Sequence, residues 1–248
     1  MVEIESKNFE TKFFGWFSGN WNLFKTAVQN PQTAWVYDID GILLNSTEVV
    51  LKDFTRKTGL KTAAKEIDAW EYLRQKAEKA GLAQNLIEHA EDGWYDPAMI
   101  GQAKKYAFVK EIVETTINLS GTERNYVLTS RNANLEATTR ASLRREFPNL
   151  SQENLMIRRD SAMSGEDFKA KCLWWISKTS PWTIFIDDST LFIKTALDAN
   201  LSNLLAINIP QGVIRPNFTS PNLAEVKRFP VGSQSMLPLF YLIQKALK

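Results

Sequence analysis

The stretch AWVYDIDG, residues 34–41, decides the fold. Its first half is a short apolar run rich in β-formers, and its end breaks into an Asp-Gly turn, which predicts a buried strand followed by a sharp exit. Side chains alternate along extended backbone, so Asp38 and Asp40 point the same way, and Gly41 permits the turn. The same texture recurs outward along the chain. YVLT (126–129) leads into Ser130 and Arg131, LMI (155–157) ends ahead of Arg158, TIFI (183–186) precedes Asp187 and Asp188, and LLAIN (204–208) follows. Helical patterns separate these runs at 134–146, at 166–178 (with Ser164 as its capping residue) and at 191–199, and MLPLFYLIQKAL closes the chain as a helix. Apolar strands alternating with helices predict an α/β fold, a doubly wound parallel sheet covered on both faces. In such sheets the chemistry lies beyond the carboxyl ends of the strands.

Between the first two strands the texture changes. Residues 47–119 carry helical periodicity without strands, with Gly81 after a Lys-rich turn as a helix stop. This block is expected to be an inserted helical cap, leaving 34–46 and 120–248 as the α/β core and 1–33 as an aromatic-rich N-terminal extension. The aromatics of FFGWFSGNWNLF (13–24) are expected to pack against the body, and residues 209–234, rich in Pro and Asn, to be irregular. The 248 residues carry a formal charge of +2, with 44% hydrophobic and 23% charged residues. That balance resembles an average soluble protein and does not favour non-specific nucleic-acid binding. One cysteine, Cys172, rules out an internal disulfide, and one histidine, His89, rules out a histidine-rich metal site. Carboxylates, lysine, arginine and hydroxyls are left for the chemistry, which points any metal toward oxygen ligands. Without a membrane span or a signal-like N-terminus, a cytoplasmic location is expected.

Four acids gathered at one sheet edge repel one another unless a cation holds them, and a lysine and a small hydroxyl beside a hard metal suit a transferring phosphoryl group. In chain order, Asp38-Ile39-Asp40-Gly41, the strand closed by Thr129, Lys169 and the Asp187-Asp188 pair resemble the four motifs of the haloacid dehalogenase (HAD) superfamily. The resemblance spans residues 34–208 and implies a HAD-type core with a helical cap. It implies that Asp38 is the nucleophile, Asp40 the general acid and base, Thr129 a phosphate ligand and Lys169 the neutralising cation. It also implies Mg²⁺ held by Asp38, the carbonyl of Asp40, Asp187 and Asp188. The second motif acid, Asp40, favours phosphoryl chemistry over carbon–halogen cleavage. Lys171, two positions from Lys169, faces away from it on a helix and competes for the same role.

The substrate is less legible. Arg131 just after the second motif, a threonine eight residues on, and Arg158 at the next strand end resemble polynucleotide phosphatases. Ser130, Arg131 and Arg158 are therefore candidate substrate-binding residues, and a nucleic-acid 3′-phosphate end is one candidate substrate. The alternative for both arginines is an intradomain salt bridge or a place in solvent. The basic residues Arg140, Arg144, Arg145, Arg158 and Arg159 are otherwise a solvated face. A helical cap favours a small phosphorylated molecule or nucleotide, with Trp70, Tyr72, Trp94 and Tyr95 as candidate specificity residues. His89 is expected to be structural or solvated. A HAD-like domain that binds a phosphorylated ligand without turnover is the non-enzymatic alternative.

Overall fold

A computed structural model describes residues 17–67, 71–210, 220–226 and 236–248. Its strands are β1 (Phe17–Ser18), β2 (Ala34–Tyr37), β3 (Asn125–Asn132), β4 (Leu155–Arg158), β5 (Thr183–Asp187), β6 (Leu204–Asn208) and β7 (Leu223–Val226). The helices are α1 (Trp21–Gln29), α2 (Ser46–Thr58), α3 (Tyr72–Lys79), α4 (Gln84–Glu88), α5 (Pro97–Ile100), α6 (Val109–Ser120), α7 (Glu136–Glu146), α8 (Gly165–Lys178), α9 (Thr190–Asp198) and α10 (Leu237–Ala246). In space the strands run β1-β7-β6-β5-β2-β3-β4. All neighbours are parallel except β1 and β7. The chain moves outward from β2 to β4, then returns to the other side of β2 and continues from β5 to β7. The strand order therefore reverses between β2 and β5, and that crevice is where an open α/β sheet takes its ligand.

Alternation along the strands builds two cores. Trp35, Tyr37, Ile184 and Ile186 face Phe24 and Val28 of α1, Ile112 of α6 and Ile243 of α10. Val36, Phe185 and Ala206 face the opposite way, onto Leu173 and Ile176 of α8 and Ile193 of α9. Strands buried on both faces read as unbroken apolar runs, which is why β2, β5 and β6 stand out in the sequence. Ser164 caps α8 as expected, its hydroxyl accepting the Asp167 N–H at 3.0 Å. Gly81 has φ +66°, the left-handed conformation of a helix stop.

The insert has its own buried cluster, in which Val50, Leu51 and Phe54 of α2 meet Leu73 and Ala77 of α3 and Ile100 of α5. Ala103, Tyr106, Val109, Ile112 and Val113 instead join the main core. Helix α6 thus covers the sheet, and the helices between it and β2 form the cap.

Three elements were not expected. Strand β7 lies inside the stretch read as irregular, and β1 and α1 lie inside the aromatic extension. Both strands are short and sit at one end of the sheet, and β7 mixes Glu225 among its apolar residues, so neither makes an apolar run. The described part of the aromatic segment packs on the body, with the Phe17, Trp21 and Phe24 rings 5.5–5.7 Å apart and Phe24 fully buried. Its residues 13–16 and the cap residue Trp70 lie outside the described residues. No helix among those residues is long and apolar enough to cross a membrane.

Candidate active site

The pairing of β2 with β5 sets Tyr37 opposite Ile186, so the next residue of each strand, Asp38 and Asp187, meet at the reversal point. The backbone locks both: the Asp38 N–H donates to the Ile186 carbonyl at 2.9 Å, and the Ile209 N–H to the Asp187 carbonyl at 3.0 Å. From the opposite wall, α8 delivers Lys169. Its Nζ lies 2.7 Å from Asp38 Oδ1 and 2.7 Å from Asp187 Oδ2. All three side chains are buried, with Asp38 5%, Asp187 0% and Lys169 1% exposed. The ring of Phe192 lies over the ammonium, 3.9 Å from Nζ to its centroid. Lys171 points elsewhere, lining an open groove with Arg140, Arg159 and Trp175.

One ammonium shared by two carboxylates does not neutralise them. Burial raises Asp38 to about 7; Lys169 opposes this, while Asp187 and Asp40 add to it. Burial likewise raises Asp187 to about 6, with Lys169 opposing and the charge of Asp188 adding. Lys169, which burial alone would lower, is held above its ordinary range by Asp187 and Asp38. Oxygens of Asp38, Asp187 and the part-exposed Asp188 lie within 4.8 Å of one another. This set fits a hard divalent cation: three carboxylate ligands lie at one point, one of them open to water, with an unbalanced negative charge.

Asp40 faces the same cavity but is held differently. Arg131 grips it in a bidentate pair, Nη2 to Oδ1 at 2.6 Å and Nε to Oδ2 at 2.9 Å. The remaining donors of Arg131 reach Thr139 Oγ1 at 2.9 Å and Ser46 Oγ at 3.0 Å. Burial acts to raise the Asp40 carboxyl, and the Arg131 guanidinium, with help from Ser46, overrides it and holds the group below the usual carboxylate range. Thr139 is the threonine eight residues beyond Arg131 that the sequence singled out. Ser46, the first residue of α2, gave no such signal.

Thr129 is buried in the C-terminal half of β3, its hydroxyl accepting the Arg131 N–H at 3.2 Å, while Ser130 lines the cavity. Arg158 also lines it, but its guanidinium is spent on the carbonyls of Ser130 and Met163 and on the Asn132 side chain. Elsewhere in the basic cluster, Arg140 and Arg159 converge on Glu136, and Arg145 pairs with Glu146. His89 is exposed and bonds Asp92 at 2.7 Å, away from this site. Burial pushes the Cys172 thiol up to about 11, which disfavours its thiolate form.

Above the carboxylates the cap closes a cavity of about 550 Å³ whose roof includes Tyr72, Trp94 and Tyr95. The sequence did not point to Phe192, Leu191 or Glu91, which also line it; each reads as an ordinary helix or turn residue.

No protein-family model matches the chain, and no curated protein matches it in sequence. Solved structures do. A haloacid dehalogenase-like hydrolase from Burkholderia xenovorans LB400 superposes with a TM-score of 0.53 at 13% identity, covering 88% of this chain and 99% of that one. The chain carries the haloacid dehalogenase fold. A HAD hydrolase of family IA from Entamoeba histolytica gives a TM-score of 0.51 at 14% identity over 86% of this chain and 99% of its own. CbbY from Rhodobacter sphaeroides, solved in complex with phosphate, gives 0.50 at 14% over 83% and 96%. The HAD fold accounts for the helical cap inserted directly after β2.

Proposed function

We propose that this chain is a Mg²⁺-dependent phosphatase that hydrolyses a phosphomonoester through an aspartyl-phosphate intermediate. The observation that carries the reading is Lys169 bridging Asp38 and Asp187 at 2.7 Å each, beside Asp188, at the strand-order reversal. That arrangement gives a buried nucleophile, a cation for phosphoryl oxygens and a divalent-cation site at one point. Arg131 and Arg158, whose donors are taken up within the domain, weaken a polynucleotide reading. The complete acid set weakens a binding module without turnover.

In this reading Asp38 Oδ attacks phosphorus and the ester P–O bond breaks. The alkoxide takes its proton from Asp40. Water then attacks the phosphorus of the aspartyl phosphate, its proton passes to Asp40, and the P–O bond to Asp38 breaks. Lys169 offsets charge on the phosphoryl oxygens, and Thr129 and Ser130 supply the end of β3 against which the group is oriented. Asp38, Asp187, Asp188 and the Asp40 carbonyl would hold Mg²⁺, which supplies charge neutralisation of the phosphoryl group. For an alkyl ester, Asp40 must leave Arg131 and enter the first step protonated, because the ion pair keeps it ionised. The phosphate seen in the Rhodobacter CbbY structure is the kind of ligand this site would take.

The test is acid-quenched turnover followed by mass spectrometry. One phosphoryl group on the peptide containing Asp38 is expected. Steady phosphate release with no phosphorylated Asp38 peptide would overturn the mechanism.

A further inference from the structure

The floor of the cavity supplies the reaction, and a single turn of the cap above it selects the alcohol. We infer that the substrate is the phosphate monoester of an alcohol carrying a positively charged nitrogen, and that Glu91 and the ring of Trp94 receive that charge. This rests on the phosphatase reading and names its substrate class.

The turn is EDGWY, residues 91–95. The Trp94 N–H donates to the Glu91 carbonyl at 3.1 Å, and the Tyr95 N–H to the Asp92 carbonyl at 2.9 Å. Bonds from i+3 back to i make a 3₁₀ turn, in which residues three apart eclipse, so the Glu91 carboxyl and the Trp94 indole leave the turn on one side. Both line the cavity of about 550 Å³ that also holds Asp38 and Asp40. A carboxylate beside an aromatic face is the pairing that receives an organic cation. The ring attracts it through its quadrupole, and the carboxylate supplies the opposite charge.

The hydrogen bonds of Glu91 leave room for that charge. Its Oε1 accepts the Arg74 N–H at 3.1 Å, while Oε2 is buried and has no hydrogen-bond partner among the described residues. Burial raises the carboxyl above its ordinary range, against the backbone N–H groups of Arg74 and Leu73, the Trp94 side chain and the charge of Arg74. The Arg74 guanidinium itself lies 2.7 Å from Glu71. An ammonium seated on the Trp94 ring lies beside this carboxyl. Coulomb attraction across a few ångströms of partly enclosed cavity needs neither a direct bond to Oε2 nor the loss of the Arg74 bond.

The rest of the cavity has the matching polarity. Glu166, in the first turn of α8, lines it as well. The lining arginines are bonded at the floor, Arg131 to Asp40 and Arg158 to the carbonyls of Ser130 and Met163. Lys76 stands 5.8 Å from the centroid of the Tyr72 ring and pairs with Glu66, so Tyr72 serves as a wall and Trp94 as the seat of the cation. A monoester with a charged nitrogen on its alcohol is itself bipolar. Its phosphate suits the Lys169 end, and its nitrogen suits the acidic, aromatic cap.

The experiment compares kcat/KM, with Mg²⁺ present, for phosphocholine against 3,3-dimethylbutyl phosphate and for phosphoethanolamine against propyl phosphate. All four are primary alkyl esters, and each pair shares a shape and differs in charge. At least one charged ester is expected to exceed its uncharged counterpart by at least about tenfold, and the pair with the larger ratio tells whether the nitrogen is quaternary or primary. A positive nitrogen also makes the alcohol a better leaving group, so Glu91→Gln separates recognition from reactivity. That variant should cut the ratio by at least about fivefold, and Glu91→Asp, which keeps the charge, should cut it less. Each ratio is taken within one protein, so a smaller folded fraction leaves it unchanged. Should Glu91→Gln fail to fold, competition against p-nitrophenyl phosphate in the wild type decides, with free choline expected to inhibit at least about tenfold better than 3,3-dimethylbutanol. Uncharged esters matching both charged ones, a ratio unmoved by Glu91→Gln, or equal inhibition by the two alcohols overturns this inference alone. No phosphate released from any of the four or from p-nitrophenyl phosphate overturns the phosphatase reading, and the inference with it.

Discussion

The Asp40–Arg131 pair governs how the site handles its proton. Two hydrogen bonds of 2.6 and 2.9 Å hold Asp40 ionised, so in the proposed mechanism it must leave Arg131 and take up a proton before it can give one to a leaving group. Removing the acid should therefore matter most where the leaving oxygen needs a proton. Asp40→Asn is expected to lower kcat on an alkyl phosphate by roughly a hundredfold or more, and to cost less on p-nitrophenyl phosphate, whose phenolate leaves unassisted. Steady-state kinetics with both esters check this, and equal losses would remove the general-acid role. The meeting of Asp38, Lys169 and Asp187 was legible because each sits at a strand end or at the start of a helix facing one. The Arg131 grip on Asp40 was not, because a buried ion pair depends on which side chains the fold brings together. The sequence left Arg131 open to substrate, to a salt bridge or to solvent, and the buried pair with Asp40 decides for the salt bridge.

At the scale of elements, the cap and its exit from the core carry separate stabilities. Phe54 sits in the cap cluster, apart from the sheet. Phe54→Ala should cost about 3–5 kcal/mol locally, so that hydrogen exchange quickens across α2 and α3 while the amides of β2 and β5 stay protected. Uniform acceleration across the sheet would contradict an independent cap cluster. At the exit, Glu146 of α7 takes Lys105 at 3.0 Å and Arg145 at 2.8 Å, and Arg145 also bonds the carbonyls of Gly101 and Ala103. Burial acts to raise Glu146, and Arg145 and Lys105 override it and hold the carboxyl below its ordinary range. A folded-state value below the unfolded one means that ionised Glu146 stabilises the fold above the unfolded value of about 4.3, and that this is lost as pH falls through the folded value. Glu146→Gln should thus lower stability by roughly 1–3 kcal/mol at pH 7, with the gap from wild type closing below about pH 4. Urea unfolding at both pH values checks this; a gap that widens in acid would contradict it. The buried parallel strands were legible as apolar runs. Strands β1 and β7 and helix α1 were not, since their stability comes from docking at the sheet end and from aromatic packing, not from a local pattern.

For the whole molecule, the near-neutral net charge conceals a concentrated field. Three carboxylates lie within 4.8 Å of one another beside Lys169 at the crevice, while Arg140 and Arg159 share Glu136 and Arg145 pairs with Glu146. A cation that binds the folded state alone raises its stability by mass action, by about 2.7 kcal/mol at a hundredfold excess over Kd. Thermal unfolding of the wild type should therefore shift upward with Mg²⁺, and the shift should vanish in Asp188→Asn. An equal shift in the variant would place the metal elsewhere. The doubly wound sheet and its reactive edge were legible from the order of apolar runs and their terminal acids, because the reversal between β2 and β5 follows from topology. The substrate was not, because the cavity is assembled from the cap, β3 and the α9 region together. The central claim is that Asp38 does the chemistry, and phosphate release from p-nitrophenyl phosphate by wild type and Asp38→Asn, with Mg²⁺ and with a chelator, tests it most directly. Release is expected to depend on Mg²⁺, to fall by at least roughly a thousandfold in the variant and to disappear with the chelator; undiminished release by Asp38→Asn would contradict a nucleophilic Asp38.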